Sequence, residues 1–211
     1  MALFPFFIEL KDRKCICIGG GRVAARKIET LLEFEADITV VSPALTDTLK
    51  NLRLAGKIKI IARNYMPGDI NGVFLAIAAT NDRETNRQVY LEAVQNGVLV
   101  NVADAPKECT FTFPSIVKRE ELVLGITTSG SYPAFSKKVR GIVEKACPEY
   151  FGNILKLLRD YRKRAQKDIP DAAKRAEVLD RLAAEAVQAF EEGFSEQFTG
   201  RLESIYEVYG K

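Results

Sequence analysis

A run of three glycines directly after an apolar segment is the first feature of this sequence that could do chemistry. Segment 19–24 reads GGGRVA, with glycine, glycine and alanine at the three small positions of the dinucleotide-binding fingerprint. Gly19 permits a sharp turn, Gly21 lets the backbone approach a pyrophosphate, and Ala24 lets the following helix pack closely on a sheet. Because the first N–H groups of such a helix are free, the sequence predicts a pyrophosphate site there.

The residue types further along bear on which dinucleotide is bound. About twenty residues after the glycines an acidic residue usually binds the adenosine ribose diol, but here the second apolar run ends at Ser42. A serine can still hydrogen-bond a ribose hydroxyl or a phosphate, and Arg22 could reach a 2′-phosphate. The residues alone therefore leave NAD and NADP open. They also leave open a regulatory domain that senses NAD without catalysis.

A carboxylate follows a later apolar run, in the sequence Asn101-Val102-Ala103-Asp104. Ligands of open α/β sheets bind beyond the carboxyl ends of the strands, so we expect Asp104 near the nicotinamide end of the cleft. A carboxylate at this place can accept a proton as a hydride leaves the substrate. The alternative is an aspartate that only caps a turn before Pro106.

Several classes of protein are excluded by composition. The chain has no histidine, which removes Ser-His-Asp and Cys-His catalysis and histidine metal sites. No tyrosine has a lysine four residues later, the pair that short-chain dehydrogenases need. The four cysteines form no CxxC pair, so we predict neither a zinc site nor any other metal site, and no disulfide. The short apolar opening contains Pro5 and predicts neither a signal peptide nor a membrane span, so we expect a cytoplasmic protein.

The elements that must position these residues follow from the hydrophobic periodicity. Five strands are predicted, at 14–18, 38–41, 58–62, 73–79 and 98–102. Helices are predicted between them at 23–34, 45–54 and 84–96. Alternating strands and helices indicate a parallel sheet covered on both faces. The fold class is therefore α/β, with a Rossmann-like doubly wound domain over residues 1–113.

The regular alternation of predicted strands and helices ends at Pro114. A strand at 122–127 and a helix at 134–145 are too small to bury a core, so we assign 114–147 as a small α+β dimerisation element. From residue 148 to 211 only amphipathic helices are predicted, at 150–166, 172–192 and 198–209. This segment is expected to form an α-helical C-terminal domain.

Four stretches of the sequence resemble one enzyme family in the same order and spacing. They are FPFFIELKDRKCICIGGGRVAARK, AIAATNDRETNRQV, NVADAPKECTFTFPSIV and GITTSGSYPAFSKKVR. The family is that of the precorrin-2 dehydrogenases of sirohaem synthesis, which occur alone or as the amino-terminal module of sirohaem synthase. The resemblance implies that precorrin-2, a tetrapyrrole with eight carboxylates, is oxidised to sirohydrochlorin with NAD as acceptor. It also implies a homodimer, and a catalytic role for Asp104.

The resemblance also assigns cofactor contacts and leaves a second reaction open. The residues expected to contact NAD are Gly19, Gly20, Gly21, Arg22, Val23, Ser42, Pro43, Ala44, Thr80 and Asn81. Some members of the family also insert ferrous iron into sirohydrochlorin, and the sequence does not decide whether this chain does. In that reaction Asp104 would again accept protons. The module in sirohaem synthase has a serine where this chain has Thr128, so a serine-specific modification there is not expected.

A polyanionic substrate needs cations in its pocket. Lys137 and Lys138 lie on the predicted helix 134–145, and the backbone N–H groups of Ser129, Gly130 and Ser131 precede it, so these five residues are predicted substrate contacts. The basic cluster at 156–167 could also hold substrate carboxylates, but a solvated helix face is the favoured interpretation. A net charge of only +3 and the lack of interleaved aromatic residues argue against nucleic acid as a partner.

Overall fold

A computed structural model gives the structure of the protein, and it describes residues 2–192 and 196–209. The chain divides into two compact units, Met1–Phe113 and Pro114–Lys211. Each unit has its own hydrophobic core.

The first unit is built on a five-stranded parallel sheet in the order β3-β2-β1-β4-β5. Its strands are β1 (Lys14–Ile18), β2 (Asp37–Val41), β3 (Lys59–Ile61), β4 (Leu75–Ala78) and β5 (Leu99–Val102). The connecting helices are α1 (Arg22–Leu32), α2 (Asp47–Leu54) and α3 (Arg83–Gln95). The order reverses between β1 and β4, so the crevice of the sheet lies at the carboxyl ends of these two strands.

Alternating side chains of the central strand supply both faces of the core. On β1, Cys15 and Cys17 pack in one buried cluster with α1, and Ile16 and Ile18 pack in the other with α3 residues such as Val89. This two-sided burial is what a parallel sheet between helical layers requires. The prediction of a Rossmann-like doubly wound domain is confirmed.

The four cysteines are all free thiols. Burial raises the pKa of Cys15 to about 11 and that of Cys17 to about 12. Burial likewise raises the pKa of Cys109 and of Cys147 above the ordinary value. The thiols therefore stay protonated near neutral pH.

The second unit begins with an antiparallel hairpin of β6 (Ser115–Arg119) and β7 (Leu122–Ile126), followed by α4 (Pro133–Ala146). The sequence analysis predicted β7 and α4 but not β6. The reason is the turn: Glu120 takes the left-handed conformation, with φ of +53°, where hairpins usually carry Gly, Asn or Asp. The local sequence therefore contains no hairpin signal.

Three helices complete the second unit: α5 (Tyr150–Asp168), α6 (Ala172–Glu192) and α7 (Glu196–Glu207). Their core contains Leu182, Phe198 and Leu202, all essentially inaccessible. The helical C-terminal region confirms the prediction from amphipathic periodicity. Of the helices in the described ranges, none has the length and apolar character needed to cross a membrane.

Candidate functional site

The glycine turn, which we define as Gly19–Gly21 after β1, is fixed by close backbone contacts. Gly19 has φ of +118°, and a Cβ there would lie 2.3 Å from the Ala79 carbonyl oxygen. A Cβ on Gly20 would lie 2.1 Å from the Ala44 carbonyl oxygen. Side chains at these two positions would collide with backbone, so the first two glycines are needed for the fold itself.

The third glycine faces open space. A Cβ on Gly21 would meet no atom within 4 Å. Gly21 is also the N-cap of α1, and no side chain caps that end of the helix. An uncapped amino terminus beside open space is what a pyrophosphate needs, because its oxygens can accept the free N–H groups. Arg22 and Val23, both exposed, flank this opening. The residues present therefore fit a dinucleotide.

The loop after β2 packs against the glycine turn. The buried Ser42 hydroxyl donates to the carbonyl of Ala44 at 2.7 Å, and the N–H of Thr46 donates to the carbonyl of Gly20 at 3.0 Å. Pro43 and Ala44 are exposed beside it. The Ser42 side chain thus shapes its own loop, whereas the exposed residues that follow are available to a ligand.

Thr80 and Asn81 follow β4, on the other side of the glycine turn. A buried side chain that the sequence analysis did not single out, Asn86, holds this loop: its Oδ1 accepts the Thr80 N–H at 3.1 Å and the Thr80 hydroxyl at 2.8 Å. Asn81 is exposed. An asparagine among charged neighbours on a helix gives no distinguishing signal in the sequence.

The aspartate turn, which we define as Ala103–Ala105 after β5, carries the predicted catalytic residue. Asp104 has φ of +58°, a left-handed conformation that costs most residues energy but that Asp and Asn tolerate. The N–H of Ala103 donates to the carbonyl of Ala78 at 2.8 Å. The Cys109 thiol accepts the Val102 N–H at 3.3 Å and donates to the Ala105 carbonyl at 3.4 Å. Cys109 thus bonds to the residue before the turn and to the last residue of the turn.

Behind this turn a lysine of α1 reaches β5. The Nζ of Lys27 donates to Oδ1 of the buried Asn101 at 2.8 Å and lies 4.3 Å from the centre of the Phe113 ring. Burial lowers the pKa of Lys27, with a further lowering from Arg26, while Cys109, Cys17 and Asp104 oppose that change. The lysine is therefore an electrostatic neighbour of the aspartate, which the sequence analysis missed.

A cleft of about 690 Å³ opens at this edge of the sheet. Asp104, Thr80 and Asn81 line it together, so three of the predicted site residues meet there. The remaining lining residues are Arg83, Glu84, Asn86, Arg87, Val102, Ala103, Ala105 and Glu108. No group of three or more metal-binding side chains occurs within residues 2–192 and 196–209.

The predicted substrate contacts belong to the second unit. Ser129 and Gly130 have positive φ values of +54° and +80°. The N–H of Ser129 donates to the Thr127 hydroxyl at 3.0 Å, and the N–H of Ser131 donates to the Thr128 carbonyl at 3.0 Å. These two N–H groups are thus engaged within the loop.

The two lysines of that prediction lie on α4. Lys137 and Lys138 are exposed, and neither forms an ion pair with a described residue. All five residues stay predictions as substrate contacts.

A parallel sheet with a glycine turn at its switch point and an uncapped helix beyond it defines a dinucleotide-binding domain. The family described as "Putative NAD(P)-binding" matches residues 6–115. The chain belongs to this family of NAD(P)-binding proteins. The match confirms the prediction of a nicotinamide dinucleotide as cofactor.

Curated relatives agree with the resemblance noted in the sequence. Siroheme synthase of Methylobacillus flagellatus is 38% identical over 162 residues, covering 77% of this chain and 35% of that protein. Siroheme synthase of Nitrosococcus oceani is 33% identical over 211 residues, covering 98% of this chain and 44% of that protein. The chain thus spans less than half the length of these relatives. The resemblance to the sirohaem synthase module is confirmed.

Among solved structures, a chain described as "SirC, precorrin-2 dehydrogenase" is similar, with a TM-score of 0.77. The match covers 98% of this chain and 100% of that chain at 22% sequence identity. At this identity the match establishes the shared fold, including the region after the dinucleotide-binding domain.

Proposed function

We propose that this protein oxidises precorrin-2 to sirohydrochlorin, with NAD as the hydride acceptor. The observation that carries the proposal is Asp104, a carboxylate in a left-handed turn that lines the cleft of an NAD(P)-binding domain together with Thr80 and Asn81. The relatives named siroheme synthase support precorrin-2 as the substrate, because making sirohaem requires this oxidation.

In the proposed mechanism the chain binds and orients the cofactor and the substrate, and it removes a proton from the substrate. Bound NAD supplies the hydride acceptor. The free N–H groups at the start of α1 would hold the pyrophosphate, and Thr80 and Asn81, which line the cleft, would contact the cofactor. The substrate loses two hydrogens, one as hydride and one as a proton. Asp104 accepts the proton, and Cys109 keeps the aspartate turn in place while it does so.

The proposal is tested with NAD and enzymatically made precorrin-2, by following the absorbance of NADH and of sirohydrochlorin. Asp104→Asn is the variant of choice, because asparagine tolerates the left-handed backbone while it removes the carboxylate. We expect kcat to fall about 100-fold or more, as for loss of a general base, with an unchanged affinity for NAD. Full turnover by Asp104→Asn would remove Asp104 from the mechanism.

Two other outcomes of this assay separate neighbouring functions. If wild-type protein binds NAD but forms no NADH, a non-catalytic NAD-sensing module is the better description. If ferrous iron added to the assay yields sirohaem at an enzyme-dependent rate, the protein also inserts iron. Asp104→Asn then tells whether the same carboxylate serves both reactions.

We further propose a homodimer formed through residues 114–147, with 1–113 as the NAD-binding domain and 148–211 as the helical domain. The support lies on α4, where Ser136 is the one buried residue while Phe135 and Ile142 are 55% and 68% exposed. Apolar side chains exposed on this scale favour a protein partner. Sedimentation is expected to give twice the monomer mass, and Ile142→Glu is expected to halve it.

The four free thiols suit a reducing compartment, which supports the cytoplasm as the place of work. We also propose that Ser129, Gly130, Ser131, Lys137 and Lys138 contact substrate carboxylates. Because the N–H groups of Ser129 and Ser131 are engaged within the loop, the two serines would make this contact through their hydroxyl groups. The exposed lysines support this role by their charge.

A further inference from the structure

Two arginines are the cations that line the cleft around Asp104. Arg83 and Arg87 lie four residues apart on α3, so their side chains share one face of that helix. The other charged lining residues are the acids Asp104, Glu84 and Glu108. Within this cleft, Arg83 and Arg87 are therefore the groups that would offer positive charge to an anionic ligand near Asp104.

Arg83 is exposed at the first position of α3 and forms no ion pair with a described residue. The preceding carboxylate, Asp82, is committed to the helix cap, where it accepts the N–H groups of Glu84 and Thr85. A cation at a helix amino terminus is unfavourable because of the helix dipole. Residues that break a local rule in this way are common at functional sites.

Arg87 already binds a carboxylate. Its Nη1 lies 2.5 Å from Oε1 of Glu108, and both side chains line the cleft. The Arg87 side chain is 53% exposed and that of Glu108 is 25% exposed, so water reaches the arginine and a second carboxylate could replace Glu108 there. The geometry of the pair marks Arg87 as a carboxylate receptor that is occupied by an internal group.

We propose that Arg83 and Arg87 form a carboxylate clamp for the substrate. Arg83 binds one acidic side chain of the tetrapyrrole directly, and Arg87 exchanges Glu108 for a second. The inference rests on the proposed function for the identity of the ligand, and it adds the residues of the first unit that select a polycarboxylate. Arginine suits this role because its planar donors bind carboxylates with two parallel hydrogen bonds.

The test compares Arg83→Gln, Arg87→Gln and Glu108→Gln with Arg53→Gln as the matched control, an exposed arginine on α2 that does not line the cleft. We expect Arg83→Gln to raise the KM for precorrin-2 about tenfold or more, with kcat and the KM for NAD unchanged. Arg83→Lys is expected to raise the KM less than Arg83→Gln does, because lysine keeps the positive charge. Glu108→Gln is expected to act in the opposite direction and lower the KM, because it frees Arg87.

Two further measurements sharpen the test. In the double variant Arg87→Gln/Glu108→Gln, the decrease in KM that Glu108→Gln causes alone is expected to disappear. Added salt is expected to raise the wild-type KM more steeply than that of Arg83→Gln. Changes in KM no larger than that of Arg53→Gln would overturn the clamp, as would a parallel rise in the KM for NAD.

The clamp and the proposed function can fail separately. Titration with sirohydrochlorin in the absence of NAD, followed by its absorbance, measures tetrapyrrole binding without turnover. A wild-type protein that forms no NADH would refute the dehydrogenase. Equal sirohydrochlorin affinities of wild type and Arg83→Gln would refute the clamp.

Discussion

The glycine turn and the aspartate turn follow strands of one sheet at the same edge, yet different contacts fix their conformations. Gly19 and Gly20 are locked by contact with the backbone carbonyls of Ala79 and Ala44, where no side chain fits. At the aspartate turn a side chain acts beside the backbone hydrogen bonds: the Cys109 thiol bonds to the N–H of Val102, just before the turn, and to the carbonyl of Ala105. Backbone packing permits no adjustment, whereas a side-chain anchor can be weakened in steps. We therefore expect substitutions to act in an all-or-none way at Gly19 and Gly20 and gradually at the aspartate turn.

The largest effect is expected at the glycine turn. Gly20→Ala places a Cβ 2.1 Å from the Ala44 carbonyl oxygen and 2.8 Å from the Ser42 hydroxyl. The overlap should lower the free energy of unfolding by about 3 kcal/mol or more. Thermal unfolding and urea titration measure this loss.

Gly21→Ala is the matched control, since its Cβ meets no atom of the chain. Its free energy of unfolding should change by less than about 1 kcal/mol, while NAD affinity falls because the Cβ occupies the space of the pyrophosphate. A normal NAD affinity in a stable Gly21→Ala protein would place the dinucleotide elsewhere.

An intermediate effect is expected at the anchor of the aspartate turn. Cys109→Ala leaves the Val102 N–H without its acceptor and should cost about 1–3 kcal/mol. It should also lower kcat more than it changes the KM for NAD, because it loosens Asp104 and not the glycine turn. Cys109→Ser retains a donor and an acceptor, and is expected to recover most of the turnover. Equal turnover by the alanine and serine variants would show that the hydrogen bonds of the thiol do not position Asp104.

The smallest effect is expected at Lys27, which joins α1 to β5 through its hydrogen bond to Asn101. Its pKa in the folded protein is below that in the unfolded chain, mainly through burial. The unfolded chain therefore binds the proton more tightly, and stability rises with pH between the lowered pKa and the ordinary value of about 10.4. Wild type should gain this stability relative to Lys27→Met as the pH is raised through that window.

Lys57→Met, which changes an exposed lysine, is the control for the pH series. Urea titrations across the window give the free energies of unfolding. A constant difference between wild type and Lys27→Met at every pH would mean that the lysine titrates alike in the folded and unfolded chains.

The glycine turn was predictable because its constraint is local: three adjacent small residues between an apolar strand and an amphipathic helix identify it. Asp104 was predictable by position, since it comes directly after a buried strand. The bond from Lys27 to Asn101 joins residues 74 positions apart, and no local pattern encodes such a pair. The hairpin of β6 and β7 escaped prediction because its left-handed residue is a glutamate.

The protonated thiols, three of them buried and that of Cys109 partly buried, have a practical consequence. Thiolates, not thiols, attack maleimide reagents, so the native cysteines should be labelled slowly at neutral pH. A cysteine introduced at an exposed position such as Asn51 on α2 would then be the preferred attachment point for a fluorophore. Dye emission would then follow dinucleotide binding in a protein that keeps all four of its native cysteines.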